Sequence, residues 1–283
     1  VTIDAHQHFW RYDPVQYPWI PPGSPLHGDR LAEDLAPLLA AAGIDGTVAV
    51  QARQSLDESR WLLGLADESP LIKGVVGWVD LRSPDVDHDL AELAAHPRFR
   101  GVRHVAQDEP DDFLRGAAFQ RGLARLAAHG LTYDLLIYPR QLAAAIDLVR
   151  AFPEQPFVLD HLAKPPIKAG ALSPWREAIR ELAAFPQVHC KVSGMVTEAD
   201  HRAWQPADLR PYLDVVHEAF GPARLMYGSD WPVCLLAADY ARQHAATAAY
   251  FGGLSAEERA GIFGANAARF YGLRLTRNPS AKR

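Results

Sequence analysis

The sequence predicts an α/β protein built as a (β/α)8 barrel, the TIM-barrel architecture. Three observations carry the prediction. Short apolar runs rich in β-formers alternate eight times with longer Ala/Leu-rich amphipathic runs along the 283 residues, and such alternation needs a parallel sheet. The strand runs are apolar on both faces, as strands covered by helices are. The first run ends in HQHFW, with no glycine until Gly23, whereas an open doubly wound sheet normally carries a Gly-rich phosphate loop there. Barrels of about 250 residues and more form one domain. Nothing in the chain reads as a linker, so residues 1–283 are expected to be a single barrel domain.

The first strand is read at 2–8, TIDAHQH. Side chains alternate faces along a strand, so His6 and His8 point one way, Ala5 and Gln7 the other. The next stretch, 9–28, sets Pro14, Pro18, Pro21, Pro22 and Pro25 among Trp10, Tyr12, Tyr17 and Trp19. Proline stiffens it and the aromatics need burial, which predicts a packed rim over one barrel end. Helix 30–42 leads to strand 47–52, which ends near Gln51, and helix 56–68 to strand 74–80, with Trp78 and Asp80. Helix 86–95 precedes strand 101–106, where the neighbours Arg103 and His104 have opposite parity. The acidic run 107–113 (QDEPDDF) reads as a solvated loop feeding carboxylates to a helix N-terminus. Helix 115–129 leads to strand 132–138, ending at Tyr138, and helix 140–152 to strand 156–161, ending at His161 with Lys164 beyond it. Helix 174–185 leads to strand 188–194, with Ser193, and helix 207–220 to strand 224–230, which runs into YGSDWPV with Asp230 and Trp231. Helical patterns at 239–251 and 255–271 complete the chain; Ser255 and Glu258 have capping-box spacing.

Composition excludes some classes. Charged residues are 22% and the net charge is −5, which gives no electrostatic footprint for nucleic acid. No run approaches the ~18 apolar residues of a membrane span. Cys190 and Cys234 do not read as a disulfide framework. A soluble, cytoplasmic protein without nucleic-acid or membrane partners is expected, its oligomeric state open. Cys234 reads as a small buried hydrophobe, since no base is indicated beside its thiol.

Barrel sites lie at the C-terminal ends of the strands. His6, His8, His161 and Asp230 all fall there. Three imidazoles and a carboxylate can converge as metal ligands or as a proton-transfer cluster. A carboxylate ending an apolar run must be paired or hydrogen-bonded to survive burial. The blander reading makes His104 a satisfied core histidine, and Trp78 and Tyr138 barrel packing.

These residues lie in stretches that resemble the amidohydrolase superfamily along nearly the whole chain. IDAHQHFW, GVRHV, HLAKP (161–165), KVSGM (191–195), YGSDWPV (227–233) and GANAARFYGL (264–273) are similar to its amidohydrolase-2 branch, which contains sugar lactonases. The opening is most similar to the L-fuconolactonase and L-rhamnonolactonase group. The resemblance implies a hydrolase that opens a sugar lactone to its acid. Asp230 would be the general base, with His6, His8, His161 and Arg103 orienting water and stabilising the oxyanion. Metal-dependent members generally carry a lysine or glutamate bridging ligand on strand four and a histidine ending strand five. Here those places hold Val102-Arg103-His104-Val105 and TYDLLIYPR. A binuclear centre is therefore not expected. The favoured expectation is that no cofactor is required, with a single zinc ion at His6, His8, Asp230 and His161 as the alternative. Trp10, Trp78, Trp231, Tyr138, His104, Gln51 and Lys164 are the expected substrate contacts. Few arginines at strand ends favour a neutral small-molecule aldonolactone over a dicarboxylate. The rivals are a metal-dependent decarboxylase or other hydrolase of the superfamily, and a non-catalytic binding barrel, which has no need to gather these groups at one end.

Overall fold

The computed structural model describes residues 1–274. Its eight strands are β1 (Ile3–Gln7), β2 (Gly46–Val50), β3 (Ile72–Gly77), β4 (Phe99–His104), β5 (Thr132–Leu135), β6 (Phe157–Leu159), β7 (Val188–Val192) and β8 (Leu225–Tyr227). Each pairs in parallel with the next in sequence order. The ring closes just past the strand ends, where His8 N donates to the Trp231 carbonyl (2.7 Å) and Asp230 N to the His6 carbonyl (2.8 Å). The protein is a (β/α)8 barrel.

Helices cover the outside: α1 (Ala32–Ala42), α2 (Leu56–Glu68), α3 (Val86–Ala94), α4 (Ala117–Leu123), α5 (Leu142–Ala151), α6 (Trp175–Ala183), the one-turn α7 (Met195–Glu198), α8 (Pro206–Phe220) and α9 (Tyr240–Tyr250). Their apolar faces and the outward faces of the strands form one continuous core. The stretch expected to be helical over 255–271 is instead α10 (Ala256–Ala260) and α11 (Asn266–Phe270), joined by a widened turn. Asn266 explains the break. Its Nδ2 donates to the Pro222 and Leu225 carbonyls (2.8 and 2.7 Å), pinning the segment beneath β8.

The lumen has its own small core. Ile3, Ala5, Val48, Val50, Val76, Val158 and Met226 pack there with Ala267, Tyr271 and Leu273 from the tail. The tail thus plugs the end where the strands begin, and the polar residues gather at the other end.

β1 departs from simple alternation. Asp4 pairs with Thr47 and Gln7 with Ala49, so three steps on β1 match two on β2. This bulge lets both Ala5 and His6 face the lumen, Ala5 in the apolar plug and His6 above it. Bulges commonly re-aim side chains beside active sites. The rim segment 9–28 is ordered around Trp10, Tyr17, Ile20 and Leu26, which form a satellite core over the barrel mouth.

Candidate active site

The bulge in β1 and the turns after β6 and β8 deliver the polar groups. His6 Nε2 and His8 Nε2 lie 3.2 Å apart. Asp230 Oδ1 sits 3.4 Å from His8 Nε2 and 3.8 Å from both His6 Nε2 and His161 Nε2. His161 Nδ1 is 2.8 Å from Ser193 Oγ. The close approach of β8 to His6 needs glycine, since a β-carbon at Gly228 would fall 2.6 Å from that of His6.

The turn after β6 is unusual. His161, Leu162, Ala163 and Lys164 have φ of 53°, 55°, 57° and 50°, and Asp230 has φ 56°. Left-handed backbone costs L-residues roughly 1–2 kcal/mol each, and such strain collects at functional sites. Here it holds two pocket residues, His161 and Lys164, at the ends of one tight turn. Trp175 Nε1 clamps the turn by donating to the Leu162 carbonyl (2.8 Å).

Beneath the imidazoles lies a layer of buried charge. Lys191 Nζ donates to Asp134 Oδ2 (2.6 Å) and stands 3.0 Å from Asp160 Oδ1 and 3.1 Å from His6 Nδ1. Arg103 Nη1 donates to Asp160 Oδ2 (3.1 Å), and its Nη2 donates to the Gln51 carbonyl. Tyr271 from the tail donates to Asp134 Oδ2 (2.8 Å). Burial alone would raise the Asp160 carboxyl, but Lys191, His6 and Arg103 hold it well below the usual range. Burial also opposes ionisation of Asp230, and the surrounding imidazoles, His161 foremost, outweigh it once they are protonated in acid and keep that carboxyl low. Burial lowers His161 to about 4 and His6 well below its ordinary value, so both rings are neutral near pH 7.

A cavity of about 540 Å³ opens above this floor. Of the residues singled out from sequence, His8, Arg103, His161, Lys164 and Asp230 line it, while His6 is buried just below. Gln51 lies beneath Arg103. Trp10 belongs to the roof core and donates to the Gly28 carbonyl (3.0 Å). Trp231 packs against Phe9, and Tyr138 sits under the Lys164 ammonium, 5.3 Å from ring centre to Nζ. Trp78 Nε1 donates to His104 Nδ1 (3.2 Å), and His104 Nε2 meets Glu109 Oε1 (2.9 Å), a closed run outside the cavity lining. The wall also holds Trp19 of the expected rim and Arg53 just past the second strand, together with Gln54 and Gln107, which lie on loops and had no strand position to mark them. Lys191, Asp134 and Asp160 were missed as well. The available signal was a lysine and two aspartates within apolar runs, residue types that are rarely buried unless paired.

The donor set suits a metal ion. His6, His161 and Asp230 each offer a ligand atom, all within 4.8 Å of one another and all buried, and imidazole with carboxylate is a zinc-type set. Asp160 Oδ1 is buried without a hydrogen-bond partner and lies 3.3 Å from His6 Nδ1, where the outer carboxylate of a metal-bound histidine belongs.

Comparison with known proteins agrees. The chain is 45% identical over 286 residues to an L-fucono-1,5-lactonase of Burkholderia multivorans, covering 96% of each chain. It is 41% identical to an L-fucono-1,5-lactonase of Burkholderia ambifaria, covering 95% of this chain and 94% of that one. A crystal structure of a B. multivorans amidohydrolase with bound zinc superposes with a TM-score of 0.91 at 45% identity, over 97% of this chain and all of that one. The expectation that no metal is required is corrected here. It is overturned by the buried His6–His161–Asp230 donor group together with the zinc in that relative. The amidohydrolase family profile matches residues 3–273, nearly the whole described barrel. The strand-end imidazoles and the carboxylate after β8 therefore sit in a framework already known, and this chain belongs to the amidohydrolase family.

Proposed function

We propose that this protein hydrolyses a sugar lactone to the open-chain sugar acid, with Asp230 as the base that takes a proton from the attacking water. The observation carrying this is the position of Asp230 Oδ1 at the cavity floor, within 3.4–3.8 Å of three imidazoles. L-Fucono-lactone is the substrate to try first, given what the two Burkholderia relatives act on.

His6, His161 and Asp230, with His8 beside them, would hold a zinc ion. A bound zinc ion acidifies water and polarises a carbonyl. The chain's own groups do the rest. Asp230 is ionised at neutral pH and accepts the water proton as oxygen attacks the lactone carbonyl. Arg103 and Lys164 border the cavity and offset negative charge gathering on the carbonyl oxygen. When the tetrahedral species collapses, the ring C–O bond breaks and Asp230 returns the proton to the departing ring oxygen. The products are a carboxylate and a free hydroxyl, with one proton released to solvent.

The test is a pH-indicator assay over a panel of aldonolactones, run with and without chelator. A positioned general base contributes ~10²–10⁴-fold. Asp230→Asn should lose at least that much turnover while unfolding at the wild-type temperature. Chelation should lower the wild-type rate, and added zinc should restore it. A near-wild-type rate for Asp230→Asn would remove this residue from the mechanism.

A further inference from the structure

We infer that Lys191 and Asp160 compete for Nδ1 of His6, and that the winner decides whether His6 can offer Nε2 to a metal ion. The inference rests on the metal reading above. An ammonium can only donate. Lys191 Nζ, 3.1 Å from His6 Nδ1, therefore favours a lone pair on Nδ1 and a proton on Nε2. His8 favours the same tautomer. Its Nδ1 lies 2.8 Å from the Val50 carbonyl, which only accepts, so the His8 tautomer that donates there turns a lone pair on Nε2 toward His6 Nε2 at 3.2 Å. A run of donors follows, Lys191 to His6 to His8 to Val50, and in it His6 Nε2 carries a proton and cannot ligate.

Three groups pull the other way. Asp230 Oδ1, 3.4 Å from His8 Nε2, only accepts and so favours a proton on that nitrogen in place of the lone pair. Asp160 Oδ1 is 3.3 Å from His6 Nδ1 and has no hydrogen-bond partner, although Lys191 Nζ is 3.0 Å away. Arg103 Nη1, 3.4 Å from His6 Nε2, can only donate and so favours a lone pair there. The contacts on the Lys191 and His8 side are the shorter ones, 3.1 and 3.2 Å against 3.3 and 3.4 Å. These shorter contacts favour the non-ligating tautomer. Moving the single imidazole proton from Nε2 to Nδ1 gives Asp160 Oδ1 its donor and frees Nε2. It leaves Lys191 bonded to Asp134. Lys191 acts as a brake on metal binding and Asp160 as its promoter; both are positioning residues that act through His6.

The test uses ¹⁵N-histidine-labelled full-length protein, with His6 signals assigned by their loss in His6→Gln, and zinc affinity measured by competition with a chromophoric chelator. In zinc-free wild type the His6 proton should be on Nε2, and zinc should move it to Nδ1. Lys191→Met should bind zinc about tenfold or more tightly than wild type. Asp160→Asn should bind about 10–100-fold more weakly, the usual effect of losing a group that orients a metal-bound histidine. Should Lys191→Met fail to fold, the wild-type spectra alone decide. A His6 Nδ1 proton before zinc is added, or equal affinities for wild type and a folded Lys191→Met, would overturn the inference and leave the metal reading intact. Zinc bound by neither protein would sink both, with lactone hydrolysis still open to the chelator-free assay.

Discussion

His161 leans on Gly194, where a β-carbon would lie 2.5 Å from its Nδ1, and Gly194 has φ 63°. Side-chain space and backbone both exclude larger residues. Gly194→Ala should therefore push the ring off Ser193 and away from Asp230. We expect turnover to fall at least tenfold, with roughly 1–3 kcal/mol of stability lost, read by steady-state kinetics and urea unfolding. Residues differ in how far sequence revealed them. His6, His8, His161 and Asp230 were legible because strand ends of a barrel have one known address. Lys191 was not, because VHCKV also reads as an apolar strand with one solvated lysine. Only the partners Asp134 and Asp160, dozens of residues away, make its burial affordable. Trp78 and His104 sit at strand ends too, yet they satisfy each other and Glu109 in the helical shell.

At the scale of elements, periodicity found every strand but not the irregularities that aim the site. Alternation along β1 assumed a regular strand. The observed bulge places Ala5 and His6 on one side, and no residue type in IDAHQ announces it. The left-handed turn 161–164 was equally hidden, for HLAK contains no glycine or asparagine to suggest positive φ. That turn offers a direct test of stored strain. Ala163→Gly relieves a left-handed β-carbon at a cost in unfolded-state entropy, a net gain of about 0.5–1 kcal/mol. The melting temperature should rise by about 1–2 °C. If the rigid turn positions His161, turnover should fall at the same time. A lower melting temperature would show that the packing of the buried Ala163 methyl outweighs the strain at this position.

For the whole molecule, eight repeats of one pattern made the barrel readable, while the plug under it depended on how the tail docks. The tail also shapes the response to acid. His189 lies in the plugged end against Phe270, and burial, with Arg224 and Arg269 nearby, lowers it to about 4. The unfolded imidazole takes up its proton near 6.5, so between those values the unfolded chain binds more protons. The contribution of His189 to stability must then fall as pH drops from about 6.5 to about 4 and level off below. We expect His189 to contribute on the order of 2 kcal/mol of that loss, after discounting its partial exposure. Urea midpoints across this range should show it, and His189→Phe should flatten the slope. Tyr271 links the plug to the site through Asp134 and Lys191. In order of synthesis, Tyr271 leaves the ribosome after all eight strands. A chain that has its eight strands but not this tail lacks the prop beneath His6, so a stretch translated after the barrel completes the site that β1 carries.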